Sequence, residues 1–431
     1  MGLRPARAAR ARGRAAGWLL AGALVGLAAP APASPLRLFG FGGRSPGAAG
    51  TGAATADDYE ACYLNPAGLA RARKRVALGG AAGAFDLRID GRRVDTDLAH
   101  GTVIGLAVPL AFGGALRGRA GIALGLYIPN ATLNKAKAPF PGEPAFAILE
   151  TSAHVVAIQL AAGVRVTGRL AIGAGTRVLA ALRGDIHVVG DASGRISTQS
   201  EQRLITHFAP VAGVQYRQRD DLRWGVAVTG VSRSDYDIGV RSDLGDALPV
   251  QLPQLRIAGT PQYDPITAVA EVAWQLAPRW TLSAQLGYER WSAAPLPTED
   301  PLVGQPPAQP PPGFHDIVVP KLAVERTGRS RRTEWAARGG YAFVPSPAPE
   351  MTGRQSLLDN HRHVVAAGLG AAWPAAAVPL RVDAWLQLHV LQPRRHTKDA
   401  AAFGADDPPP FDTIDTGGRV VAAGIVVGVD L

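Results

Sequence analysis

Three cations stand where one positive charge could hold a carboxylate at the end of an apolar slot: Lys321, Arg338 and Arg362. Each lies in a segment where apolar and polar residues alternate, on the parity opposite the apolar row. Alternation at period two sends the two parities to opposite faces of a strand, so all three share the non-apolar side. A long apolar ligand with an acidic head requires an apolar slot with such a charge near that head. Leu244, Leu248 and Leu252, continued by Leu255 and Ile257, form an apolar set in one long connection, and Phe140 with Phe146 in another. These sets are candidates for ligand capture; their alternative role is to pack connections together. Glu325 and Glu334 share the parity of the cations, so ordinary ion pairing competes with ligand binding at each one.

Catalysis has less to stand on. A hydrolase brings a serine, a histidine and a polar orienter together. His361 and His363 fall on the outward parity, and His389 is inward without an evident nucleophile beside it. Two imidazoles flanking Arg362 lack a third ligand, so no metal and no cofactor are assigned. Cys62 is the only cysteine, which excludes a disulfide framework and fits a small buried residue.

The elements that must position these residues run from about Val76 to Leu431. Fourteen alternating segments lie near 76–89, 101–112, 117–129, 151–165, 169–183, 203–217, 222–235, 263–276, 280–292, 314–327, 333–345, 360–374, 379–391 and 417–431. Six short connections alternate with seven long ones, among them 130–150, 184–202, 236–262, the proline-rich 293–313 and 392–416. Near 380, Leu380, Val382, Ala384, Leu386, Leu388 and Val390 oppose Arg381, Asp383, Trp385, Gln387 and His389. A soluble sandwich would turn such apolar rows inward. The segments exceed the 5–6 residues common in globular strands and suit a tilted membrane crossing. Trp224, Trp274, Tyr288, Tyr341 and Trp373 sit toward segment ends on the apolar parity, where interfacial girdles belong. The fold class expected is all-β: a 14-stranded antiparallel transmembrane β-barrel.

Ahead of the strands, residues 1–33 have the form of an export signal, with a basic start, an apolar run from Trp18 to Ala29 and Ala31-Pro32-Ala33 as a cleavage site. That leader carries five arginines and no acid, so the +10 of the full sequence becomes +5 beyond it. The remaining basic residues are scattered through turns and loops with no basic face, which argues against nucleic acid as a partner. Residues 34–75 form a small-residue segment, and 76–431 the barrel.

The segment from Gly42-Gly43-Arg44-Ser45-Pro46-Gly47 to Asp57-Asp58-Tyr59-Glu60-Ala61-Cys62-Tyr63-Leu64-Asn65-Pro66-Ala67-Gly68 resembles the N-terminal hatch of the FadL/OmpP1/TodX family. Gly125-Leu126-Tyr127-Ile128-Pro129, Leu170–Gly175, Tyr288-Glu289-Arg290-Trp291-Ser292, Pro320–Glu325, Arg338-Gly339-Gly340-Tyr341 and Leu358–His363 are similar to later strand ends of that family, in the same order. The resemblance implies a barrel plugged by its own N-terminal segment in the bacterial outer membrane. It implies uptake of long-chain fatty acids or related hydrophobic molecules by loop capture, lumenal binding and a hatch movement that releases the ligand sideways. Asn65, Pro66, Ala67 and Gly68 are the gating candidates, with a static turn as their alternative. The protein is expected to be a monomer in outer-membrane lipid. An uptake channel for aromatic or aliphatic hydrocarbons, a diffusion porin and a barrel hydrolase are the other readings.

Overall fold

A computed structural model describes residues 35–130, 143–146, 148–149, 156–190, 196–243, 255–296, 311–404 and 408–431. The expected signal 1–33 lies outside the described residues, as do Phe140, Leu244, Leu248, Leu252 and the greater part of the proline-rich connection.

Fourteen strands close into one antiparallel barrel. They are β1 Arg75–Ile89, β2 Ala99–Leu110, β3 Ala120–Pro129, β4 Ala157–Arg165, β5 Leu170–Gly190, β6 Ile196–Arg217, β7 Leu222–Thr229 continuing as Ser232–Asp243, β8 Leu255–Asp264 continuing as Thr267–Ala277, β9 Trp280–Glu289, β10 Ile317–Ser330, β11 Thr333–Val344, β12 Arg362–Trp373, β13 Leu380–Thr397 and β14 Thr413–Asp430. Closure is complete: β1 pairs with β14 along its whole length, from Arg75 opposite Asp430 to Ile89 opposite Thr416. A closed sheet leaves no backbone edge in hydrocarbon.

The apolar rows face outward. Leu369 is 68% exposed, Leu322 53% and Leu386 52%, and similar residues ring the barrel. An apolar surface this continuous far exceeds what a water-soluble monomer presents. The inward parity instead holds Gln159, Gln215, Glu271, Gln285, Arg338, Asp383, Gln387 and His389, all buried. This inversion decides between the sandwich and the membrane barrel. Trp224, Trp274, Tyr288 and Tyr341 are exposed on the lipid side, as the girdle requires.

Strands reach into three connections expected as loops. β5 and β6 extend through most of 184–202, β7 and β8 into both ends of 236–262, and β13 and β14 into 392–416. The wall also departs from a simple meander. β6 pairs with β7 only from Val211 to Arg217. The amide of Gly230 donates to Pro210 O at 2.8 Å, and beyond it Tyr236–Asp243 pairs in parallel with Leu182–Val189 of β5. Among the described residues the ladder of β5 with β4 reaches Leu179.

Candidate functional site

Residues 35–74 fill the lumen in short turns: helices Pro35–Phe39 and Ala61–Leu64 and 3-10 turns Pro46–Ala48 and Pro66–Arg71. So irregular a segment needs partners for its backbone groups inside the barrel. The wall supplies them from inward side chains. Glu271 of β8 accepts from Gly52 N at 2.7 Å and Ala53 N at 2.6 Å. Gln215 of β6 donates to Ala53 O and Ala56 O, both at 3.1 Å. Gln387 of β13 donates to Phe39 O at 3.0 Å and Pro46 O at 2.7 Å. Arg75 joins Asp58 of the plug, at 3.0 Å, to Asp430 at the end of β14.

The gating candidates lie at the centre of this clamp. Asn65 is extended, with φ −165° and ψ 104°, as the residue before Pro66 must be. Its Oδ1 accepts from Ala67 N at 3.1 Å and starts the turn Pro66–Arg71. Its Nδ2 donates to Ala53 O at 2.7 Å within the plug and to Val214 O of β6 at 3.0 Å. Wall and plug meet so closely here that a Cβ on Gly213 would fall 2.1 Å from Asn65 Oδ1. Pro66, Ala67 and Gly68 are all buried. Cys62 is buried as expected, its thiol 3.7 Å from Gln159 Oε1.

Glu60 is a functional residue that sequence reasoning missed. Its carboxylate gathers the amides of Gly43 and Arg44 at 2.8 Å and of Ser45 at 3.0 Å, fixing the glycine-rich bend. Burial, reinforced by the nearby Asp58 carboxylate, pushes the Glu60 carboxyl up from 4.5 to about 7. Folding therefore takes up a proton between those values. The associated stability is fully present below about 4.5 and lost as pH rises through about 7. The purified protein should melt at a lower temperature at pH 8 than at pH 5.5, and Glu60→Gln should flatten that difference. An unchanged pH dependence in the variant would remove Glu60 from this role.

Gly43-Arg44-Ser45-Pro46-Gly47 has the Gly-x-Ser-x-Gly spacing of a nucleophile elbow. Ser45 instead precedes the 3-10 turn Pro46–Ala48 inside the plug, buried and with its hydroxyl unpaired. His389 is 3.0 Å from Gln387 Oε1 and edge-on to Phe39, so it packs the plug.

The plug divides the predicted cations. Arg338 sits on the side of the chain ends and short turns, bonded to Glu325 at 2.6 Å and Asp383 at 2.9 Å. There it borders a polar cavity of about 390 Å³ with Arg44, Arg279, Glu334 and Arg381. Lys321 and Arg362 line a second cavity, of about 100 Å³, on the far side of the plug, with Phe39, Val319, Val344 and Val364. Arg362 faces Asp359, and Arg37 is bonded to Glu289 and stacked on Trp291 at 4.8 Å. Lys321 has no ion pair or hydrogen bond among the described residues. Arg362 likewise has a buried Nε without a hydrogen-bond partner, and both cations share their cavity with Arg37, Glu289, Gln387 and His389.

Above the second cavity the barrel mouth is capped by dry packing. Phe146, Leu149, Trp291, Phe314, Met351, Leu357 and Leu358 form one buried cluster with Phe39 and Phe85. Phe146 was expected on a capture surface, but it is fully buried, held by a short parallel ladder between Ala145–Phe146 and Leu357–Leu358. Its phenyl ring serves the cap instead of an open groove.

No family model matches the chain, and no curated protein does. Solved structures do. The CymD monoaromatic hydrocarbon channel aligns with TM-score 0.54 at 13% identity, over 91% of this chain and 97% of that one. The toluene transporter TodX of P. putida aligns with TM-score 0.54 at 14% identity, over 91% and 99%. This chain has their fold. The Ralstonia pickettii toluene transporter TbuX, with TM-score 0.51 at 16% identity over 92% and 100%, agrees. At such identities the likeness speaks for architecture alone.

Proposed function

We propose that this protein is a bacterial outer-membrane channel for the uptake of a hydrophobic small molecule, with the lumenal segment acting as a gate. The observation that carries the reading is a barrel closed by its own chain, with an apolar cap and a small cavity stacked above the plug. A diffusion porin keeps a hydrated pore open, whereas here buried wall side chains hold the plug by direct hydrogen bonds. The relatives in fold are described as hydrocarbon channels and toluene transporters, which supports a hydrophobic cargo.

Within that class, Lys321 favours a ligand with a carboxylate head, such as a long-chain fatty acid. A cation without a direct ion pair among the described residues, partly withdrawn from water, binds a carboxylate by a charge-assisted hydrogen bond. The neutral hydrocarbon is the second reading, favoured by the aromatic and aliphatic make-up of the cap. Lys321→Ala separates them. Fatty-acid affinity should fall about ten-fold, the equivalent of one charge-assisted bond, while affinity for a neutral hydrocarbon of equal length stays within two-fold. Equal losses for both ligands would remove the carboxylate role. Uptake of radiolabelled ligand by cells expressing the protein tests the channel itself; unchanged uptake on expression would refute it.

A further inference from the structure

The arginines that look scattered in the sequence are gathered by the fold onto one rim. Five of the six short turns carry at least one: Arg117 and Arg119 lie between β2 and β3, Arg169 between β4 and β5, Arg219 between β6 and β7, Arg279 between β8 and β9, and Arg331 with Arg332 between β10 and β11. Asp220 and Asp221 are the acids in these turns, and they are engaged by Arg217 and Arg219. Arg117, Arg119, Arg331 and Arg332 are exposed and have no acidic partner among the described residues. The opposite rim is built differently. There several arginines come with carboxylates, as in Arg88 with Asp86, Arg256 with Asp237 and Arg395 with Asp415, while Arg92 and Arg93 have none among the described residues.

The basic rim is also amphipathic. Leu116 is exposed beside Arg117, and Phe112, Val166 and Leu276 are exposed in or next to the same turns. The Arg326 guanidinium lies over Trp280 at 5.1 Å and Trp335 at 5.7 Å. Apolar side chains at the hydrocarbon boundary, aromatic rings beside them and unpaired guanidinium groups just beyond match the layering of a lipid interface.

We infer that this turn-side rim binds anionic phospholipid headgroups of the leaflet it faces, holding a ring of phosphates around the barrel. The inference rests on the outer-membrane reading only in assigning that leaflet to the periplasmic side. An acidic soluble protein would also complement the charge. The adjoining exposed apolar and aromatic residues favour lipid, because they place the guanidinium groups at headgroup depth.

Native mass spectrometry of the full-length protein in detergent tests it, with phosphatidylglycerol and phosphatidylethanolamine of equal chain length as probes. Phosphatidylglycerol should be retained at least ten-fold better. The variant R117Q/R119Q/R331Q/R332Q should lose at least ten-fold of that retention, because each juxtamembrane charge contributes a several-fold factor. Added inorganic phosphate should displace little, because acyl chains share the binding. Equal retention of the two lipids, or a variant that holds phosphatidylglycerol as wild type does, would overturn the inference. So would headgroup indifference with salt-sensitive binding of polyglutamate, which would assign the rim to an acidic protein. The heat-modifiable gel shift of a folded barrel controls for folding. Ligand uptake by the same variant is read separately, so transport failure and lipid failure are distinguishable.

Discussion

Gly125→Cys should stop uptake at least ten-fold under oxidising conditions and release it again when a reductant is added. Gly125 lies on the inward face of β3, and a Cβ built there would stand 2.9 Å from the thiol sulfur of Cys62. That is close to the separation of about 3 Å between one Cβ and the far sulfur across a disulfide. Cys62 is the sole cysteine of the chain, so a single substitution creates a single, defined bond between plug and wall. The Phe41 ring, 2.7 Å from the same point, must shift slightly, and Gly125→Ala imposes that steric load without sulfur. If the plug must move for cargo to pass, the oxidised variant is closed and both the reduced form and Gly125→Ala still transport. Undiminished uptake by the oxidised form would show the plug to be a fixed part of the wall and leave Asn65-Pro66-Ala67-Gly68 a static turn.

Gly225→Leu should have the opposite effect, turning a closed barrel into a leaking one. Its Cβ would fall 2.2 Å from Ala53 O, a backbone atom of the plug that cannot swing aside as a side-chain tip can. Overpacking of this kind costs about 1–3 kcal/mol, and more when backbone must yield. Ala53 is also where the wall grips: Glu271 and Gln215 bond to its amide and carbonyl, and Asn65 of the plug itself to the same carbonyl. Displacing it breaks several bonds together, while the lipid-facing rows of β7 remain intact. In planar bilayers the wild type should show little steady current and the variant a current of porin size. A silent Gly225→Leu barrel that remains folded would mean that another layer, the apolar cap, closes the lumen.

Much of the wall was legible because lipid enforces the signal. Leu380, Val382, Ala384 and Leu386 alternate with polar residues since one face meets hydrocarbon, and the same parity correctly sent Lys321, Arg338 and Arg362 inward. The signal ends where the membrane does. In β5 beyond Arg183 and in β6 before Arg203 the apolar alternation lapses, so the sequence there reads as a connection. The plug was recognised by resemblance and not by periodicity, for its short turns have none. Its grip is set by residues more than a hundred positions away, such as Glu271 on Gly52 and Gln387 on Phe39. Nothing local to Glu60 announces that it will collect three amides. Nor does sequence parity reveal that Arg338 falls on one side of the plug and Lys321 on the other.

The length of β5 and β6 sets what the surroundings encounter. Strands of 21 and 22 residues run about 70 Å, or roughly 55 Å along the axis of a tilted barrel, against a hydrocarbon core of about 30 Å. The surplus stands outside the bilayer on the side away from the chain ends, as a mast braced by the parallel run of β7. Two strands of that length hold a large part of their backbone hydrogen-bonded in water, where lipid no longer enforces the pairing.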